Sequence, residues 1–174
     1  TPVFPQCGFS ARAIEAPSWS EIRRNDAAAA AAAYDQLVAL DQTDLSGRLL
    51  LFHGPPGTGK TTALRALARS WHDWCSVDYV VDPERLLGDT GYLLEILLHS
   101  SDDKRWRMLV LEDCDELIRQ DAKSGAGQGL ARLLNLTDGL LGQGSEVLVC
   151  ITTNEQLERL HPAIVRPGRC LACV

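Results

Sequence analysis

Short runs of consecutive apolar residues alternate along this chain with longer stretches in which apolar positions return every three or four residues. Leu49–Phe52, Ser76–Val81, Trp106–Leu111 and Glu146–Thr152 are the apolar runs, and Cys170–Val174 begins another. Such runs, without the in–out alternation of a half-exposed sheet, predict strands buried on both faces. Between them, helical spacing predicts helices over Thr62–Trp71, Gly91–His99 and Leu130–Leu141, the last closed by Gly142 as a C-cap. An alanine-rich segment starting from a cap at Asn25 or Asp26 predicts a further helix through Ala27–Ala33 to Leu40. Asp82-Pro83 closes the second strand, Glu84–Thr90 reads as a loop, and the Gly/Ser-rich stretch Asp121–Gly129 reads as a mobile one. Thr1–Ser20 is broken by Pro2, Pro5 and Pro17 and reads as an irregular arm. Strands alternating with helices imply an α/β fold with an open parallel sheet covered on both faces.

Ligands in such sheets bind at the carboxyl ends of the strands, and the chain's chemistry-bearing residues fall there. After the first strand comes Gly54-Pro55-Pro56-Gly57-Thr58-Gly59-Lys60-Thr61-Thr62, a P-loop between a strand and a helix. Its glycines let successive backbone N–H groups turn toward phosphate oxygens at a helix N-terminus. Lys60 is placed to reach the β- and γ-phosphates, and the Thr61 hydroxyl to ligate Mg²⁺. The third strand ends in Glu112-Asp113, followed by Asp115-Glu116. Beside a P-loop, one such carboxylate holds Mg²⁺ and another positions or deprotonates the attacking water. The fourth strand ends in Thr152-Thr153-Asn154, whose amide can bond a terminal phosphate or orient that water. Beyond it, Arg166-Pro167-Gly168-Arg169 sets two guanidinium groups around a rigid turn, a form suited to an arginine finger. Together these residues imply binding of a nucleoside triphosphate with Mg²⁺.

The bulk properties narrow the partners. The 174 residues suit one domain with a substantial core, expected over residues 26–174 after an arm or linker over 1–25. A net charge of −6 and a pI near 5.2 argue against a general nucleic-acid or anionic-membrane surface. No apolar run is long enough to span a bilayer, and no secretory pattern is legible. Of the 6 cysteines, Cys75, Cys114 and Cys150 sit in or beside strand-like runs, which fits reduced thiols and a cytoplasmic location. Cys170-Leu171-Ala172-Cys173 has CxxC spacing but no second pair or histidine cluster beside it. Trp19, Trp71, Trp74 and Trp106 read as packing groups. The start at Thr1 and the stop within an apolar run suggest an excerpt of a longer polypeptide.

Gly54–Thr61, Leu109–Asp115, Thr152–Asn154 and Ala163–Arg169, in that order and at these intervals, resemble the AAA+ ATPases, and within them the AAA group that carries Arg-Pro-Gly-Arg after the fourth strand. Leu133–Gly139 is similar to the leucine-rich helix followed by Asp-Gly that those proteins carry. The resemblance covers roughly Asp26 to Val174. It implies a five-stranded sheet in the order 5-1-4-3-2, the large subdomain without its helical lid, and ring assembly, typically hexameric, with ATP between subunits. It further implies Lys60 and Thr61 as Walker A residues, Glu112 and Asp113 as the Walker B pair, Asn154 as sensor 1, and Arg166 and Arg169 acting in trans.

Two features depart from the family pattern. The Walker B order is Glu-Asp rather than Asp-Glu, similar to the mitochondrial Rieske-protein translocase ATPases, which sets the shorter carboxylate of Asp113 where the water is activated. Arg85–Asp89 lies where many members present an aromatic residue to a threaded polypeptide; here Leu86-Leu87 takes that place, either to touch an apolar substrate or to pack inward. The leading expectation is a Mg²⁺-dependent ring ATPase that remodels a protein substrate. The alternative is an ATP-dependent assembly switch or adaptor with little turnover, and a DNA-directed loader fits the charge least.

Overall fold

The computed structural model describes residues 13–25, 28–99, 105–121, 124–139 and 146–174. Five parallel strands form one sheet: β1 (Leu49–His53), β2 (Cys75–Tyr79), β3 (Trp106–Leu111), β4 (Val147–Thr153) and β5 (Cys170–Cys173). Their order is β2-β3-β4-β1-β5, which is the expected 5-1-4-3-2 read from the other edge. Among the described residues seven α-helices accompany them: α1 (Trp19–Ile22), α2 (Ala28–Ala39), α3 (Lys60–Ser70), α4 (Pro83–Gly88), α5 (Thr90–Leu98), α6 (Asp115–Ile118) and α7 (Ser124–Asp138).

The central strands β1, β3 and β4 feed a core on each face. Leu49, Leu51, Leu109, Leu111, Val149 and Ile151 point to one side, against Leu86, Leu93 and Leu130 of the helices. Leu50, Phe52, Met108, Val110, Leu148 and Cys150 point to the other, against Leu64, Leu67 and Tyr34. The period of two along each strand divides the runs in this way, so a strand with no polar face is the one that can fill both cores. Register brings Phe52 beside Thr152 and His53 beside Thr153, so the loops after β1 and β4 leave the sheet side by side.

Three local expectations are corrected. Thr1–Ser20 is not irregular to its end, because Ser18 and Glu21 close a capping box on α1, and Trp19 is buried in the core. Trp19, Tyr34 and Phe52 stack with centroid spacings of 4.8 and 5.4 Å. Glu84–Thr90 is not a loop. The Asp82 carboxylate accepts from the Arg85 N–H at 2.9 Å and Pro83 fills the first turn, so α4 forms with Leu86 and Leu87 buried. The inward-packing reading of those leucines is the one the fold adopts, and Val81, just after β2, is instead 96% exposed.

The Gly-rich stretch from Ser124 onward is helical in α7, where Gly127 and Gly129 serve close packing. A Cβ on Gly129 would lie 1.8 Å from the Leu87 carbonyl oxygen. α7 ends at Asp138 and the proposed cap at Gly142 lies outside the described residues, as does Asp26. Cys170 and Cys173 on β5 are free thiols, and no third metal-ligating side chain joins them among the described residues.

Candidate active site

The P-loop is built by its glycines. Gly57 (φ 80°) and Gly59 (φ 86°) adopt left-handed backbone, which a side chain would strain. No atom lies within 4 Å of where a Cβ would stand on either, so the loop arches open above the helix instead of packing down. Gly59 is the N-cap of α3 and uses no side chain there, leaving first-turn N–H groups free to turn to an anion. Thr58 stiffens the arch by donating its hydroxyl to the Pro55 carbonyl at 2.9 Å. Pro56 and Thr62 are exposed on the same loop and first turn.

Lys60 links this loop to the fourth strand. Its Nζ donates to the carbonyls of Gly54 (2.7 Å) and Pro55 (3.0 Å) and to Asn154 Oδ1 (2.9 Å), across 94 residues of sequence. Thr61 links the loop to the third strand, its hydroxyl donating to Glu112 Oε1 at 2.9 Å. P-loop lysine, P-loop hydroxyl, Glu112 and Asn154 thus form one contiguous group at the carboxyl ends of β1, β3 and β4.

Asp113 is the one described non-glycine residue in the left-handed region, at φ 53°. The chain turns sharply there and exposes the carboxylate to an open cleft of about 1020 Å³ that also touches Glu112, Val81, Glu84 and Glu116. Cys114, next in sequence, is buried, and burial pushes its thiol up to about 12, so it is a neutral packing group.

Asp115 was noted in sequence only as one more acid. It accepts from the Thr153 hydroxyl (2.6 Å), the Asn154 N–H (2.9 Å) and the Asn154 side-chain amide (3.1 Å). Burial raises its pKa, and these donated hydrogen bonds from Thr153 and Asn154 more than offset that, leaving it below the usual carboxylate range. Arg119 was not singled out at all; it bonds Glu155 with Nε (2.7 Å) and Nη2. Its partner lies 36 residues away, so no local pattern in the sequence points to it.

The two arginines after β4 differ. Arg166 is exposed. Arg169, expected beside it as a guanidinium offered to a neighbour, is 5% exposed and held within its own chain. It donates to Asp138, to the Ala163 carbonyl (2.6 Å) and to Asn135 Oδ1 (2.8 Å). With its donors taken up by the end of α7 and by the turn itself, Arg169 holds the turn on which Arg166 stands.

The donor set fits a magnesium nucleotide. Mg²⁺ takes oxygen ligands and is bound through one or two carboxylates plus substrate phosphates and water. Thr61 and Glu112 supply that small hard-oxygen set, and no cluster of three or more metal-ligating side chains occurs among the described residues. No helix among them is long and apolar enough to cross a membrane.

Comparison with known proteins gives the family. Residues 50–173 match the family described as "ATPase family associated with various cellular activities (AAA)". The chain is similar to "AAA-ATPase At2g18193" of Arabidopsis thaliana, with 36% identity over 130 residues, 68% of this chain and 24% of that protein. It is also similar to "26S proteasome regulatory subunit 4 homolog B" of Arabidopsis thaliana, at 35% over 129 residues, 69% of this chain and 28% of the relative. A third relative is the "Probable mitochondrial chaperone bcs1" of Schizosaccharomyces pombe, at 36% over 125 residues, 68% and 26%. The matched segments span about a quarter of the length of these relatives.

Proposed function

The chain belongs to the AAA family of ATPases, and from that membership we propose that it hydrolyses ATP with Mg²⁺ as one subunit of a homo-oligomeric ring that remodels a protein substrate. One observation carries the site assignment: Lys60 bonds Asn154 while Thr61 bonds Glu112, so three motifs remote in sequence share one group of atoms.

In this reading the backbone of Gly54–Thr62 cradles the phosphates and Lys60 neutralises them. Thr61 and Glu112 would hold Mg²⁺, which would offset the charge on the phosphate oxygens. Asp113, on the cleft side of the same turn, takes a proton from the attacking water, and Asn154 orients that water. Arg166 is the group offered to the neighbouring subunit's terminal phosphate, with Arg169 bracing its turn. The relatives named as proteasome regulatory subunit and chaperone support a protein substrate for the whole polypeptide.

Phosphate release from MgATP, followed against protein concentration, tests the reading. Specific activity is expected to climb with concentration, as ring assembly requires. Lys60→Ala is expected to lose nucleotide binding and turnover together; retention of both would dismiss the P-loop assignment. Asp113→Asn is expected to keep ATP bound while turnover falls about a hundredfold or more. The assembly-switch alternative draws on the inverted Glu112-Asp113 order, and it predicts flat, near-zero turnover that Asp113→Asn leaves unchanged.

A further inference from the structure

The segments that follow β3 and β4 are sewn together behind the site. Asp115 opens α6 and receives three hydrogen bonds from Thr153 and Asn154. Arg119, just past the end of α6, grips Glu155. The two anchors meet at Thr153, whose hydroxyl donates to Asp115 and accepts from the Glu155 N–H at 3.0 Å. The backbone continues the seam: Gln120 N–H donates to the Arg159 carbonyl and His161 N–H to the Ile118 carbonyl, each at 2.7 Å.

We propose that Asp115 and Arg119 are positioning residues for ATP hydrolysis, locking the sensor amide of Asn154 in one orientation and tying it to the turn that carries Asp113. The proposal rests on the site reading above, in which Asn154 and Asp113 act on the same water.

The chemistry of the amide carries the first half. Asn154 Nδ2 donates to Asp115 Oδ2, which leaves Oδ1 as the atom facing the Lys60 ammonium. A flipped amide would set its N–H groups against the ammonium and its oxygen against the carboxylate, so both contacts would turn repulsive. Asp115 thereby fixes which face of the amide looks into the site.

Continuity carries the second half. Asp113 stands between Glu112, bonded to Thr61, and Asp115, bonded to Asn154, and its left-handed backbone is held from both sides. Strained conformations persist where the surroundings over-determine them. Any displacement of the sensor loop is passed to Asp113 through two side chains and the backbone seam, so the two groups move as one body.

A double-mutant cycle in the full-length protein tests this. Asp115→Asn is expected to lower kcat about ten- to a hundredfold, with KM for ATP and binding of a fluorescent ATP analogue changed less than about threefold. Asn154→Ala is expected to lower kcat comparably, and the double variant to be no slower than Asn154→Ala alone, because Asp115 acts through Asn154. Losses that multiply, or a wild-type kcat in Asp115→Asn beside an impaired Asn154→Ala, would overturn the clamp and leave the site reading intact. A wild-type kcat in Asn154→Ala would overturn the sensor assignment and the clamp with it. If Asp115→Asn does not fold, Arg119→Ala at the more exposed end serves instead. It is expected to lower kcat about three- to tenfold at constant KM, partly restored by Arg119→Lys, and an unchanged kcat would overturn the proposal.

Discussion

Asp35 fastens the segment ahead of the sheet. It accepts from Trp19 Nε1 at 2.8 Å and from two nitrogens of Arg23, and these hydrogen bonds, Arg23 first and Trp19 second, hold its pKa down to about 2 from 3.8. A carboxylate depressed on folding stabilises fully above its unfolded value and loses that contribution as pH falls through its folded one. The contribution is therefore present from about pH 4 upward and fades toward pH 2. Asp35→Asn is expected to lower Tm at neutral pH, and the gap from wild type to close as the medium is acidified across that window. A gap that stayed constant with pH would mean that the carboxylate charge contributes nothing.

α7 shows element-scale packing overriding intrinsic propensity. Alanine favours a helix over glycine by about 1 kcal/mol, so glycines at 125, 127 and 129 argue against one. The helix forms because Gly129 lets α4 lie against it, with the Leu87 backbone where a Gly129 side chain would be, while the His161 ring lies 3.3 Å from where a Cβ on Gly127 would stand. Gly129→Ala is expected to destabilise the fold by about 1–3 kcal/mol despite its better propensity, as overpacking does. Gly125→Ala, with nothing within 4 Å, is expected to leave stability unchanged or slightly raised. Chemical denaturation of the pair reads the difference, and equal effects would remove close approach as the reason for these glycines. The same packing puts Leu86 and Leu87 in the core and leaves no leucine tip between α4 and α5.

At the scale of the molecule, the sheet brings the loops after β1, β3 and β4 to one edge, and the turn after β4 carries its arginines away to another surface. Arg166 and Arg169 are three residues apart yet have different surroundings, one exposed and one in a buried network with Asp138, Asn135 and Ala163. Arg169→Ala is expected to cost about 1–3 kcal/mol, since it strands partners that bond a charged group. Arg166→Ala is expected to leave Tm unchanged and to abolish the rise of specific activity with concentration, as loss of a group acting in trans requires. A thermal melt beside a concentration series separates the two, and the reverse pattern would exchange their roles. The double-mutant cycle at Asp115 and Asn154 belongs to the same scale, because it asks whether the third and fourth strands act as one unit.

The site was legible in sequence where chemistry demands contiguous residues. Gly54–Thr62 must run in one piece to curl around phosphate, and strands buried on both faces must be apolar throughout, so the P-loop, the strands and the acids closing β3 could be read directly. The five-stranded order followed from the family resemblance. Folding alone decided what depends on residues far apart meeting: that Asn154 faces Lys60, that Asp115 and Arg119 seize the loop after β4, that Arg169 turns inward, and that Leu86 and Leu87 are covered. A lone acid, arginine or leucine carries no mark in sequence of which way it will face. That direction is set by the helix packed against it, and no local pattern encodes that partner.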